Sequence, residues 1–312
     1  MIKSEFFLEW RSSISGKIFF FLWTWLLPIV ILWAVFHGFS EKKAQLLNFE
    51  LSSTNQIWFW LCIAFLPVNL LLEALKWTWL VERIEATPIL KSLKVILAGK
   101  SLNALLPLGL GSGASKYLAT HQVDKQKTVA ALTIGNFTQF VPAFLIGLIP
   151  LYQVFGHSIS QYLWLGLIVV LFMGLALFFM LKTKFEHNWN KLYAAFSAYS
   201  RFEYISVLVV SILRYSVFTF QFIAIFHFLG IDLNQSVIFM GVAWIFFVKT
   251  VVPNASLLGD LMKRELSAYL FFQFYMEDLQ PVFLANVLVW MVNIVVPAVV
   301  GSLFVSSLKK HI

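Results

Sequence analysis

Apolar runs of roughly 20 residues recur along the chain and alternate with short polar or basic links. Runs of this length can cross the hydrocarbon core of a bilayer as helices, so the pattern predicts an all-α, polytopic membrane protein. No polar stretch approaches the size of a soluble domain, and residues 1–312 are predicted to form one integral membrane domain. The seven predicted spans are Ile18–Phe39, Ile57–Val81, Val129–Tyr152, Tyr162–Leu181, Tyr204–Leu229, Val237–Val252 and Pro281–Ser307.

Two apolar stretches, 89–119 and 248–276, contain helix-breaking residues in the middle. The first contains Pro107, Gly109, Gly111 and Gly113, and the second contains Pro253 and Gly259. Proline removes a backbone donor and glycine loosens the chain, so neither stretch is expected to cross as one continuous helix. Because irregular backbone at membrane depth must be covered by protein or water, we expect two re-entrant segments. Their comparable places in the two halves are compatible with an inverted repeat around a binding site.

Basic residues concentrate in particular links and orient the predicted spans. The loops 83–127 and 182–201 are rich in Lys and Arg, whereas the links 153–161 and 230–235 contain neither. The positive-inside rule therefore places the basic loops and the N-terminus in the cytoplasm of a cell (inner or plasma) membrane. The basic C-terminus also favours the cytoplasm, which requires an eighth crossing in the second broken segment.

Composition narrows the classes of function. The net charge of +8 is explained by these membrane-flanking residues, so nucleic acid is not an expected partner. The single cysteine, Cys62, excludes a disulfide within the chain, and the six histidines lack metal-ligand spacing. No catalytic group, metal or cofactor is predicted, and the protein is not expected to be an enzyme.

The glycine-rich part of the first broken segment is a candidate seat for a phosphate. Consecutive glycines allow backbone N–H groups to converge on an anion, and a following helix start adds positive potential. The residues predicted to contribute are Gly109, Gly111, Gly113, Ser112, Ser115 and Lys116. The alternative is a re-entrant turn whose glycines serve only close packing.

Arg214 lies about ten residues into the fifth predicted span, roughly 15 Å from its end, too deep to reach the interface easily. A charge at that depth needs a partner and is a functional hypothesis by default. The candidate partners are Glu73, Asp260, Glu265 and a lipid phosphate, and the alternative is a structural ion pair. The Glu73–Lys76 spacing by itself favours an interfacial pair, and that of Asn136 and Gln139 favours helix–helix hydrogen bonding.

Several short motifs resemble the lysylphosphatidylglycerol synthase transmembrane family, whose members are also called flippase-like membrane proteins. The first signature covers Glu73–Trp77 and Ala98–Asn103 and continues through Leu106-Pro107 to Gly109–Gly111; the second covers Pro253–Glu265. The resemblance implies an all-helical membrane domain with re-entrant elements, and it adds Asn103 to the predicted headgroup site. It also implies movement of an anionic or aminoacylated phospholipid between leaflets. The chain departs from the family at Gly111–Lys116, where an acidic residue is usual.

The sequence therefore predicts a lipid transporter that binds a headgroup between the two broken segments. No stretch could form the cytosolic domain that makes the aminoacylated lipid in that family, so no synthase activity is implied. Two alternatives remain open. One is a membrane-embedded enzyme or accessory subunit that handles a lipid-phosphate carrier, which would use Glu73, Asp260 or Glu265. The other is a scaffold that transports nothing.

Overall fold

The computed structural model describes residues 55–104, 106, 110–120, 124, 126–151, 193–252 and 257–309. Within these ranges the chain forms helices and turns and no strand. We number the main helices in chain order: α1 Gln56–Val81, α2 Ile89–Asn103, α3 Leu110–Thr120, α4 Gln126–Leu151, α5 Arg201–Phe228, α6 Gln235–Val251, α7 Leu257–Phe272 and α8 Gln280–Val305. One short helix, 193–197, precedes α5.

Four of these helices, α1, α4, α5 and α8, are long and apolar enough to cross a membrane, with 26, 26, 28 and 26 residues. This confirms a helical protein with several candidate membrane spans. Their boundaries agree within a few residues with the predicted spans that begin at Ile57, Val129, Tyr204 and Pro281. The predicted spans Ile18–Phe39 and Tyr162–Leu181 lie outside the described residues. The predicted span Val237–Val252 corresponds to α6, which has only 17 residues.

The local sequence explains where these helices begin and bend. α5 begins at a capping box, in which Ser200 accepts a hydrogen bond from the N–H of Glu203 while the Glu203 carboxylate accepts from the N–H of Ser200. α8 starts with Pro281 in its first turn, where a missing N–H costs nothing. In the middle of α8, Met291–Val295 form a π-helical turn, an irregularity that often accompanies functional sites.

The first broken segment forms an antiparallel pair of short helices, α2 and α3, which we call the first hairpin. The side-chain amide oxygen of Asn103 accepts a hydrogen bond from the N–H of Ser112 at 2.8 Å. A Cβ added to Gly111 would overlap the backbone of Leu102 and Asn103, so glycine is needed for this close approach. A Cβ added to Gly99 would collide with Ser115.

The second broken segment belongs to another antiparallel pair, α6 and α7, which we call the second hairpin. The Lys263 ammonium donates to the carbonyl oxygens of Lys249 at 3.1 Å and Val252 at 2.6 Å. At the other end of the pair, Gly241 packs directly against the ring of Phe272. Ala104, close to the turn of the first hairpin, packs in the same apolar cluster as Leu261, close to the turn of the second. Both hairpins therefore pack, close to their turns, against the same apolar cluster on α8.

Long helices pack lengthwise around the hairpins. α1 lies antiparallel to α5, because Gln221 donates to the carbonyl of Cys62 near one end and Tyr199 donates to the carbonyl of Leu80 near the other. α2 packs closely on the second half of α8, where a Cβ on Gly301 would overlap the carbonyl of Leu97. The largest apolar cluster joins α5, α6, α7 and α8.

A polar end of the bundle joins α1 to α5. Just beyond α1, Arg83 donates two hydrogen bonds to the Glu203 carboxylate at 2.8 and 2.9 Å. These hydrogen bonds raise the pKa of the exposed Arg83 guanidinium above its ordinary value. Burial raises the pKa of the nearby Tyr199 hydroxyl to about 12. This end contains charged pairs that suit an aqueous interface.

Two glycines of α3 make a matched test of this packing. Gly111→Ala should lower the apparent melting temperature of the purified protein, because overpacking against backbone costs about 1–3 kcal/mol. Gly113→Ala should leave it unchanged or raise it slightly, since nothing lies within 4 Å of a Cβ at that position and alanine favours a helix by about 1 kcal/mol over glycine. Equal melting temperatures for both variants would contradict the described hairpin contact.

Candidate anion site

A polar stripe runs along the side of α1 that packs into the bundle. Asn69, Glu73 and Lys76 recur at spacings of four and three residues, which places them on one helix face. All three are buried, and the Glu73 residue is only 6% exposed. An apolar helix that buries two charged residues must supply partners for them from its neighbours.

Three cations converge on the Glu73 carboxylate. The Arg214 guanidinium of α5 contacts its Oε2 at 2.8 Å, and the Lys100 ammonium of α2 lies 3.6 Å from the same oxygen. The Lys116 ammonium of α3 lies 3.4 Å from Oε1. The Glu73 carboxylate of α1 therefore links α1 to α5 and to both helices of the first hairpin.

A fourth cation, Lys76, lies beside this group and contacts neutral acceptors. Its ammonium donates to the carbonyl of Gly135 at 3.1 Å, to the Gln139 side chain at 3.1 Å and to the Ser211 hydroxyl at 3.2 Å. The side-chain oxygen of Gln139 also accepts a hydrogen bond from Arg214 at 2.8 Å. The polar residues of α4 therefore hold two cations close together.

Arg214 is held on both sides and is 5% exposed. Its Nε donates to Asn69 at 3.1 Å, and Asn69 in turn donates to Asn293 at 3.2 Å. Asn293 lies in the π-helical turn of α8, so that irregular turn supports the arginine through one intermediate side chain. Such a network fixes the guanidinium rather than leaving it mobile.

The charges in this group do not balance. We call Glu73, Lys76, Lys100, Lys116 and Arg214 the cation cluster; among the described residues, four cationic groups act on one carboxylate, a formal excess of three positive charges. A buried charge without a counter-ion is costly, so this group favours an anion brought in from outside the chain.

A small cleft reaches the cation cluster between α1, α3 and α4. It is lined by Lys76, Trp77, Leu80, Lys116, Ala131, Leu132, Gly135 and Asn136. The Lys116 ammonium lies 5.3 Å from the Trp77 ring, and its contact with Glu73 is longer than that of Arg214. Of the two lysines that line the cleft, Lys116 is therefore the less tightly held. Asn136 is exposed and lies at the rim of the cleft.

The structure brings together three of the sequence-predicted site residues, Glu73, Lys116 and Arg214. Four others, Asn103, Gly111, Ser112 and Ser115, form the interface within the first hairpin. The N–H of Ser112 donates a hydrogen bond to the side chain of Asn103, and the hydroxyl of Ser115 donates one to the carbonyl of Ser112. The expected convergence of N–H groups on a phosphate stays a prediction, and Gly109 lies outside the described residues. Nothing lies within 4 Å of the position that a Cβ would take at Gly113.

The predicted acidic residues of the second broken segment occupy α7. Asp260 accepts a hydrogen bond from Arg264 at 2.9 Å, and both residues are buried. Arg214 is bonded to Glu73, the candidate partner that the sequence could not single out. Glu265 is partly buried on the same helix as Asp260.

Sequence reasoning missed the parts that Lys76, Lys100, Asn69 and Gln139 play in this site. Lys76 shares a helix face with Glu73, and their spacing pointed to an interfacial pair rather than to a buried group. Lys100 appeared only within a family motif. A useful signal was present in the polar spacing of Asn69, Glu73 and Lys76 along one apolar span.

Among the described residues, no group of three or more His, Cys, Asp or Glu side chains could hold a metal ion. Comparisons with protein-family models, with curated proteins and with solved structures each find no match to the chain. The resemblance to the flippase-like family therefore rests on its short motifs alone and remains a prediction.

The charge imbalance predicts that stability responds differently to the loss of the Glu73 carboxylate and to the loss of one cation. Glu73→Gln should lower the apparent melting temperature by on the order of 5–10 °C, because removing one partner of a buried ion pair costs about 3–5 kcal/mol. Lys116→Gln should change it little, because it relieves repulsion while removing one long contact.

The matched control is Glu85→Gln, which removes a carboxylate from an exposed pair with Lys91. It should leave the melting temperature nearly unchanged, since exposed pairs contribute about 0–1 kcal/mol. A Glu73→Gln protein as stable as the wild type would mean that the cation cluster does not depend on this carboxylate.

Proposed function

We propose that the protein binds the phosphate of a membrane lipid at the cation cluster and moves the headgroup between leaflets. The observation that carries the proposal is the excess of buried positive charge next to a cleft. A phosphate would supply the missing negative charge and would accept a charge-assisted hydrogen bond from Lys116, with the positive charge of Lys76 close by. An anionic ligand would also account for the excess positive charge of the cation cluster, which a purely structural ion pair would not need.

The walls of the cleft suit a lipid rather than a free ion. Leu80, Ala131 and Leu132 provide apolar surface beside the two ammonium groups. The exposed side of α4 presents Phe137 and Phe140, next to the polar Asn136 at the rim. We infer that a headgroup enters sideways from the bilayer, with its phosphate at Lys116 and its acyl chains outside.

The lengths of the helices support re-entrant hairpins. α2 and α3 have 15 and 11 residues, and α6 and α7 have 17 and 16. At 1.5 Å per residue these helices are about 16–26 Å long, less than the roughly 30 Å of a hydrocarbon core. Because Ala104 and Leu261, close to the two turns, pack in the same apolar cluster around the middle of α8, we infer that each hairpin enters the membrane and returns near its middle.

The order of helices supports an inverted repeat. A long helix, a short hairpin and a second long helix occur as α1 to α4 and again as α5 to α8. The first helices of the two units, α1 and α5, are antiparallel. Transporters with this architecture bind substrate near the bilayer midplane between the repeats. We infer that the cation cluster lies at this depth.

The surroundings of Glu73 favour binding over acid–base chemistry. A lipid-phosphate enzyme would be favoured by two carboxyl groups sharing a cavity, whereas Glu73 is bound by Arg214, Lys100 and Lys116. A scaffold would be favoured by charges that balance locally, and those of the cation cluster do not. We therefore place transport before either alternative.

Leaflet exchange of labelled lipids tests the proposal. Purified protein would be reconstituted in liposomes that contain headgroup-labelled anionic, zwitterionic or cationic lipid, and a quencher would be added outside. The protected inner-leaflet fraction should fall with wild-type protein for a phosphate-bearing lipid. Lys116→Gln should slow the exchange about tenfold or more, because a charge-assisted hydrogen bond contributes about 1.5–3 kcal/mol.

Lys91→Gln is the matched control, because it makes the same chemical change at an exposed ion pair outside the cation cluster. It should exchange lipid at the wild-type rate. Equal rates for Lys116→Gln and wild type would remove the cluster from the transport path. Absence of exchange for every lipid class would count against transport and favour the scaffold.

A further inference from the structure

The second hairpin carries cations at positions that correspond to those of the first. Lys100 lies three residues before the end of α2, and Lys249 lies two residues before the end of α6. On the returning helices, Lys116 is the seventh residue of α3 and Arg264 is the eighth residue of α7. Each hairpin therefore supplies one cation near its turn and one on its second helix.

Lys249 is a partly buried cation whose ammonium has no hydrogen bond or ion pair with another residue in the described part of the chain. Its Nζ lies 5.8 Å from the centre of the Phe218 ring. The Cζ atom of Arg214 lies 5.7 Å from the same ring centre. A single aromatic side chain of α5 is therefore in contact with both the cation cluster and Lys249.

Positive charge predominates around Lys249. The charges of Arg264, Lys100 and Lys263 act on its ammonium with the same sign, and Asp260 acts with the opposite sign. Asp260 also forms a close pair with Arg264 at 2.9 Å. An ammonium in this setting gains from a further anion, as the cation cluster does.

Lys100 connects the two groups of charges. It belongs to the cation cluster through its 3.6 Å contact with Glu73, and it also acts on Lys249 from the turn of the first hairpin. Its side chain is 21% exposed, more than those of Glu73, Lys116 and Arg214. It is therefore placed to contact an anion on either side.

We propose that Lys249 and Arg264, with Lys100 at the boundary, form a second phosphate position equivalent to that at Lys116. The inference rests on the proposed function and deepens it: the same lipid phosphate is passed from the position on the first hairpin to the position on the second. Both positions recognise a phosphate mono- or diester through ammonium and guanidinium donors, and the Phe218 ring separates them.

The number of phosphate positions can be measured through stability. Detergent-purified protein would be melted at increasing inorganic phosphate, with chloride adjusted to keep the ionic strength constant. A ligand that binds the folded state stabilises it in proportion to the logarithm of its concentration, and the slope is proportional to the number of sites. Lys249→Gln and Lys116→Gln should each halve the wild-type slope, and the double variant should give a flat line.

Two further variants keep the test specific. Lys249→Arg retains a cation and should restore the full slope, whereas Lys91→Gln removes an exposed lysine and should not change it. A full slope for Lys249→Gln with a halved slope for Lys116→Gln would overturn the second position and leave the proposed function intact. A wild-type slope for both Lys249→Gln and Lys116→Gln would overturn the second position and the proposed function together. So would the absence of any stabilisation of the wild-type protein by phosphate.

Discussion

Burial of charge on the α1 face that carries Asn69, Glu73 and Lys76 constrains the rest of the structure. Glu73 needs cations, and they come from three different elements: Arg214 from α5, Lys100 from α2 and Lys116 from α3. Because one carboxylate serves all three, the position of the first hairpin is coupled to that of the long helices. Glu73 leaves an excess of positive charge in the cation cluster. Packing alone would not require this charge, because an apolar core of the same volume is often as stable as a buried ion pair.

The first hairpin contributes two of these cations, Lys100 and Lys116. The helices of each hairpin are shorter than the roughly 30 Å of a hydrocarbon core, and Ala104 and Leu261, close to the two turns, pack in the same apolar cluster on α8. Close helix packing at Gly99, Gly111 and Gly301 permits this arrangement, because each glycine faces atoms of a neighbouring segment directly.

The general architecture was accessible from the sequence, and the site was accessible only in part. Apolar runs located α1, α4, α5 and α8, because hydrophobic length is a strong local signal. Pro107 and Pro253 marked the two interruptions, and the depth of Arg214 along its span marked it as buried. Its bond to Glu73 joins residues 141 positions apart, and no local pattern specifies such a contact. Gly111, one of the glycines expected to cradle a phosphate, packs against the backbone of Leu102 and Asn103. A backbone that approaches another backbone and one that approaches an anion both require glycine, so the sequence alone could not separate these two uses.

The most direct test of the account is an experimental structure of the protein in nanodiscs that contain an anionic phospholipid, at a resolution that reveals bound headgroups. The account predicts phosphate density within hydrogen-bonding distance of the Lys116 ammonium group, with the acyl chains leaving past Leu132. A cation cluster that contains no anion, with its charges neutralised by other residues of the chain, would contradict the claim that this site binds lipid phosphate.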